Sequence, residues 1–231
     1  QHEDHLFPGD QFPFTYPPRT DSISGKTDGI LARCIASNTC PKIMHVDSST
    51  EFWQGRSSLV VTDEHGVAIE QPDEVRTYLL TGSGHAGPQM LAHAAMYWSP
   101  SLNPVNELDY CALVRALVVA LDAWVTEGKE PPPSHYPSVT DGTLVPPEEL
   151  GFPAIPGVTY TGKINGLSDR DYTPQPPSAI PGRDYPVLVP TVDSDGNEIS
   201  GIRSPDIGAP LGTYMGWNLR GENYAEDAPD S

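Results

Sequence analysis

Positive charge is scarce in this chain of 231 residues, which has 13 Lys and Arg against 31 Asp and Glu. The formal net charge is -18 at pH 7, and the pI is near 4.5. Such a surface repels phosphate groups and anionic lipid headgroups, so we expect no nucleic-acid partner. Long apolar runs are also missing. No stretch reaches the roughly 18 to 20 apolar residues of a membrane span, and we expect no membrane partner.

Cysteine is nearly as scarce, with three residues in the chain. None lies at CxxC spacing or beside a histidine cluster, so we expect no metal site, and no motif demands a cofactor. Cys34 and Cys40 flank a short polar loop at 35–39, whereas Cys111 lies far along the chain. A local disulfide between the first two is geometrically reasonable. If it forms, an extracytoplasmic location, secreted or periplasmic, follows.

Proline and glycine, by contrast, are abundant, at 26 and 21 residues, and only 37% of residues are hydrophobic. This composition predicts irregular, loop-rich structure around one core. We divide the chain into an irregular, lid-like segment over 1–30, a core over 31–135, and a Pro/Gly-rich extension over 136–231 that packs on the core.

Periodic segments predict an α/β fold. Strands are expected over Lys42–Asp47 and Val75–Leu80, and a long helix over Glu107–Glu127, with Asn106 as its N-cap and Gly128 after its end. The first strand is followed by a loop that contains Glu51, and the second strand by a loop that contains His85. With the long helix after them, these elements are expected to form the closing section of an α/β sandwich.

Weaker patterns predict three smaller elements. Short helices are expected over Thr27–Cys34 and Gln89–Trp98. In the extension, two apolar runs around the turn at 193–197 predict a β-hairpin.

His85 is the strongest candidate for proton chemistry, because it follows the second strand on a glycine-rich loop. Catalytic groups of α/β sheets lie on such loops beyond the carboxyl ends of strands. Glu51 follows the first strand, and its carboxylate could orient the histidine by accepting the Nδ1 hydrogen. Asp47 competes for this role, since it lies closer to the strand end. An ordinary loop histidine and a solvated helix-start acid are the simpler alternatives.

An obvious nucleophile is absent, because no GxSxG motif occurs. The nearest imitation, around Ser57, lacks the second glycine, and Ser83 shares a loop with His85. Two further motifs are weak. The GxGxxG pattern at 82–87 has no second strand with an acid behind it, and the calcium-like run at 193–197 is better explained as a hairpin turn.

Taken together, several segments resemble the C-terminal half of a bacterial α/β-hydrolase-domain family, largely uncharacterised, whose members are expected to be ester or related hydrolases. The resemblance covers almost the whole chain. The segments that carry it are Thr27–Cys34, Ser48–Trp53, Thr81–Pro88, Gly182–Pro190 with Asp195–Asn197, and Pro210–Arg220.

The resemblance implies a Ser-Glu-His triad, because these hydrolases order their triad as serine, acid, histidine. Glu51 and His85 keep this order, and the serine is then expected upstream of residue 1. The chain would be a fragment or processed subunit that hydrolyses a small-molecule ester or acyl substrate once an upstream segment or a second chain completes the sheet. The alternative is a non-catalytic binding or structural module derived from the same fold.

Overall fold

The computed structural model describes residues 11–87 and 102–219, in which most helices and strands are short. The predicted helix Gln89–Trp98, the first ten residues of the lid-like segment and the last twelve of the extension lie outside these ranges. The α-helices are α1 (Ala32–Ser37), α2 (Ser49–Trp53), α3 (Cys111–Glu127) and α4 (Pro205–Gly208). The strands are β1 (Arg19–Thr20), β2 (Thr27–Asp28), β3 (Ile43–Ser48), β4 (Val75–Leu80), β5 (Leu144–Val145), β6 (Leu167–Asp171), β7 (Ser178–Tyr185) and β8 (Val189–Pro190).

The central feature is the parallel pair of β3 and β4, in register from Ile43 opposite Val75 to Ser48 opposite Leu80. The prediction for β4 is confirmed, and β3 lies one residue further along than predicted. The outer edge of β4 is covered by two other segments. The Leu79 N–H donates to the His135 carbonyl at 2.9 Å, and the Ile202 N–H donates to the Leu79 carbonyl at 2.7 Å.

The long helix α3 ends where the sequence predicts, with Gly128 in the left-handed conformation at φ 67°. Its predicted start is wrong, because the helix begins at Cys111 and Asn106 is not its N-cap. The Asn106 amide instead donates to the Gly82 carbonyl at 2.6 Å and to the Met215 carbonyl at 3.0 Å. The Asn106 amide, which the local sequence predicts as a helix cap, therefore binds the backbone of two distant loops instead.

The predicted helix Thr27–Cys34 is also displaced. Thr27–Asp28 forms β2, which pairs with β1, and α1 begins only at Ala32. Thr27 and Asp28 form the strand itself rather than the start of a helix. In the turn that follows, the Asp28 carboxylate accepts a hydrogen bond from the Gly29 N–H at 2.8 Å.

The extension is joined to the core by shared packing. Its residues Leu144, Leu188 and Val189 lie in one buried cluster with Phe52 and Leu79. Residues 193–197 form a turn, closed by a single antiparallel bridge between Val192 and Glu198. Strand β8 pairs with β5, and Ile202 bridges to Leu80. The two runs of the predicted hairpin therefore pair with each other at one bridge only, because the first pairs with β5 and the second with β4.

A disulfide joins Cys34 and Cys40, six residues apart, and this is compatible with an extracytoplasmic location. Among the helices of residues 11–87 and 102–219, none has the length and apolar character needed to cross a bilayer.

Removing the disulfide by the double substitution Cys34→Ser and Cys40→Ser is expected to lower the free energy of unfolding by about 2 kcal/mol, because a cross-link restricts the unfolded chain. Denaturant titration of the protein measures the loss, and a reductant should reproduce it in the wild type. Cys111→Ser is the matched control, since Cys111 is an exposed free thiol. Equal stability of the double variant and the wild type would contradict the prediction.

Candidate active site

The acidic loop is built by a helix start. Strand β3 ends at Ser48, which is the N-cap of α2, and Glu51 is the third residue of that helix. The two form a capping box, in which Glu51 Oε2 accepts from the Ser48 N–H at 2.7 Å and from the Ser48 hydroxyl. One carboxylate oxygen is thereby fixed to the backbone, and the other, Oε1, points away from the cap.

The histidine loop begins where β4 ends. Gly82 adopts a φ of 70°, in the left-handed region that favours glycine, and the chain turns sharply there. Because β3 and β4 are parallel, both loops leave the same edge of the sheet. They are hydrogen-bonded to each other: the Ser49 N–H donates to the Ser83 carbonyl, and the His85 N–H donates to Thr50 Oγ1, each at 3.1 Å.

The two predicted site residues are in direct contact, His85 Nδ1 with Glu51 Oε1. The His85 side chain is 74% exposed and that of Glu51 is 25% exposed. Tyr110 steadies the loop by donating from its hydroxyl to the His85 carbonyl at 3.1 Å. When Nδ1–H is donated to a carboxylate, a neutral imidazole has its lone pair on Nε2, where it can accept a proton. The arrangement can therefore act as an oriented base.

Asp47, the competing acid, belongs to a different network. Its Oδ2 lies 2.9 Å from His45 Nε2 and also accepts from the Tyr136 hydroxyl. Burial tends to raise the pKa of Asp47, but hydrogen bonds and the charge of His45, with the Tyr136 hydrogen bond, hold it below its ordinary value. The network continues to Tyr16, whose hydroxyl lies 2.8 Å from His45 Nδ1 and whose pKa burial raises to about 12. The structure thus brings Glu51, and not Asp47, to His85.

A family model described as an alpha/beta hydrolase domain matches residues 6–227. The chain belongs to this family. No curated protein and no solved structure gives a significant match. Family membership agrees with the mixed strands and helices of the described residues.

Ser57 and Ser83 of this hydrolase domain are buried, and their hydroxyl groups are hydrogen-bonded. Ser83 is fully buried, and its hydroxyl donates to the Leu80 carbonyl. Ser57 is buried at the start of a 3-10 helix, and its hydroxyl is hydrogen-bonded in the network of Asp47 and Tyr136. Both hydroxyl groups therefore have hydrogen-bond partners within the domain.

The two weak binding motifs have structural uses in the hydrolase domain. Asp193 Oδ1 accepts from the backbone N–H groups of Asp195 and Asn197, and its Oδ2 pairs with Arg203 at 2.8 Å. These contacts stabilise the turn at 193–197, which we call the braced turn. Gly82 opens the GxGxxG pattern, and its N–H donates to the carboxylate of Glu198 at 2.7 Å. In residues 11–87 and 102–219, no group of three or more His, Cys, Asp or Glu could hold a metal ion.

The side chain that receives the Gly82 N–H is Glu198, a residue that no sequence pattern indicated. It comes from the extension, more than a hundred residues from either loop, and reaches Ser49 as well as Gly82. A single acidic residue after a turn does not indicate a contact with two loops so far away in the chain. The extension approaches the acidic loop at a second point, where a Cβ on Gly216 would lie 2.3 Å from the Ser49 carbonyl carbon. Only glycine fits there.

Proposed function

We propose that this α/β-hydrolase chain supplies the acid and the histidine of a Ser-Glu-His triad that hydrolyses carboxylic esters. The serine is provided by polypeptide upstream of Gln1. One observation carries the proposal: Glu51 holds His85 by Nδ1 at the edge of the sheet where both parallel strands end, and the imidazole is largely exposed. The substrate class is a small-molecule ester or acyl compound.

Each group then has a defined step. His85 Nε2 accepts the proton of the serine hydroxyl as the oxygen attacks the ester carbonyl, and the tetrahedral intermediate expels the alcohol with the same proton. In the second half, His85 takes a proton from water as the water oxygen attacks the acyl-serine, and it returns that proton to the serine oxygen as the carboxylic acid leaves. Glu51 stabilises the imidazolium that forms in both halves, since its Oε1 contacts Nδ1.

Within residues 11–87 and 102–219, the edge of β3 away from β4 has no strand partner, and this supports the placement of the serine on other polypeptide. In the part of the chain that the structure describes, β3 pairs only with β4. An uncovered strand edge exposes hydrogen-bonding groups that a further strand can satisfy. We propose that the upstream segment, or a second chain, pairs with β3 and presents its serine to His85. The disulfide supports a secreted or periplasmic setting for this assembly.

A serine-directed aryl phosphonate tests the proposal on the full-length protein. The probe should become covalently attached to one serine upstream of Gln1, because a serine next to an oriented base is activated. Peptide mapping by mass spectrometry identifies the residue. A short-chain aryl ester present in excess should slow the labelling.

Two results would overturn parts of the proposal. Labelling of Ser83 or Ser57 would place the nucleophile within this chain and contradict the upstream serine. Absence of labelling, together with absence of ester hydrolysis, would contradict the hydrolase function and favour a non-catalytic module.

A further inference from the structure

Glu198 is a carboxylate buried at the junction of the two site loops, with 1% of the residue exposed. It receives three hydrogen bonds from side chains and backbone. Its Oε2 accepts from Ser49 Oγ and from the Gly82 N–H, each at 2.7 Å, and its Oε1 accepts from Trp53 Nε1 at 2.8 Å. A buried charge is costly unless such donors surround it, so these three contacts explain how it is tolerated.

The donors belong to the elements that carry the acid and the histidine. Ser49 and Trp53 are the first and last residues of α2, which contains Glu51. Gly82 opens the loop that contains His85. One carboxylate oxygen therefore ties the start of the acidic helix to the start of the histidine loop, two and three residues from the reacting pair.

Both the length and the charge of Glu198 suit this task. A carboxylate can accept from all three donors, whereas an amide would direct an N–H at one of them. Asp would retain the charge but lacks one methylene, which both loops require for contact. Burial raises the pKa of Glu198, while the hydrogen bonds from Ser49, Trp53 and Gly82 oppose that shift.

The position of Glu198 is set from the other side by the braced turn. Arg203 donates to the Glu198 carbonyl at 2.9 Å and to Asp193 Oδ2 at 2.8 Å. The Gly82 peptide is likewise held at both ends, since its carbonyl accepts from Asn106 Nδ2 at 2.6 Å. The histidine loop thus lies between two fixed groups.

We infer that Glu198 is a positioning residue that holds Glu51 and His85 in register by hydrogen-bonding both of their loops. The inference rests on the proposed function for its catalytic consequence. A misplacement near 1 Å between reacting groups costs up to about 100-fold in rate. Glu198→Gln is therefore expected to lower kcat for a short-chain aryl ester by about 10- to 100-fold and to leave KM close to wild type.

Two further variants separate positioning from charge and from folding. Glu198→Asp keeps the charge without the reach and should also lower kcat. Ser49→Ala removes one donor from Oε2 with little change in volume, and it should lower kcat less than Glu198→Gln does. The matched control is Glu64→Gln, a buried carboxylate that pairs with Arg19 and Ser22, away from both loops. Its kcat should stay at the wild-type value.

Nuclear magnetic resonance on the same full-length variants gives a readout that needs no turnover. Glu198→Gln should speed hydrogen exchange at the Gly82 amide and change the chemical shifts of the His85 imidazole, because its contact with Glu51 is loosened. Glu64→Gln should change neither signal.

The outcomes distinguish the two proposals. Unchanged Gly82 exchange and unchanged His85 imidazole shifts in Glu198→Gln would overturn the positioning role, whether or not the protein hydrolyses esters. Full kcat in Glu198→Asp would also overturn it, because charge alone would then suffice. Changed signals in a protein that hydrolyses no ester and reacts with no phosphonate would support the loop contacts and reject the hydrolase function.

Discussion

Replacing His85 with Ala is expected to lower kcat for a short-chain aryl ester by at least about 1000-fold. In the proposed mechanism the imidazole takes the serine proton and returns it to the alcohol, and the methyl group of Ala can do neither. Removal of such a base from a triad leaves only the rate supplied by substrate binding and oxyanion stabilisation. Release of the phenolate from the aryl ester, followed by absorbance in the full-length protein, measures the loss.

The control for this substitution is His65→Ala. His65 is also an exposed histidine, with 68% of its side chain accessible, and its ring Nε2 lies 3.7 Å from Glu64 Oε1. It should retain wild-type turnover. His85→Ala should also abolish rapid reaction with the phosphonate, since the serine loses its base. Normal turnover by His85→Ala would show that the base is another residue.

The acid–histidine pair was within reach of sequence reasoning because its placement depends on local rules. Two apolar runs predict strands β3 and β4, and parallel strands bring the loops at their carboxyl ends to one edge. Predicting Glu51 and His85 as the pair required no knowledge of distant contacts. It required only the identity of the residues that follow each strand. The choice between Glu51 and Asp47 was not decided by sequence, since both follow or end the same strand.

The supports of the pair could not be predicted in the same way. Asn106 looks like a helix cap from its neighbours, but its amide bonds two loops that fold against it, at Gly82 and Met215. Glu198 reads as one residue of a short strand after a turn, and its role depends on Ser49, which lies 149 positions away. Neither contact leaves a periodic trace, so tertiary structure is required to find it.

The structure gives the Glu51 carboxylate two tasks at once, and this allows a substitution that affects only one of them. Glutamine preserves the capping box, because its carbonyl oxygen can replace Oε2 and accept from the Ser48 N–H. The amide nitrogen then occupies the position of Oε1, facing His85 Nδ1. It donates where the carboxylate accepted, so the imidazole is driven to the tautomer with its hydrogen on Nε2.

Glu51→Gln is therefore expected to lower kcat by about 10⁴-fold, while the melting temperature stays close to wild type. A base that carries its hydrogen on Nε2 cannot take the serine proton, and the imidazolium loses its counter-charge. Asp47→Asn is the matched control, since it makes the same chemical change in the competing acid. It should keep turnover near wild type but lower the melting temperature, because Asp47 is buried and bonded to His45 and Tyr136. If Asp47→Asn lost turnover and Glu51→Gln kept it, the acid of the triad would be Asp47, and the contact between Glu51 and His85 would serve only the loops.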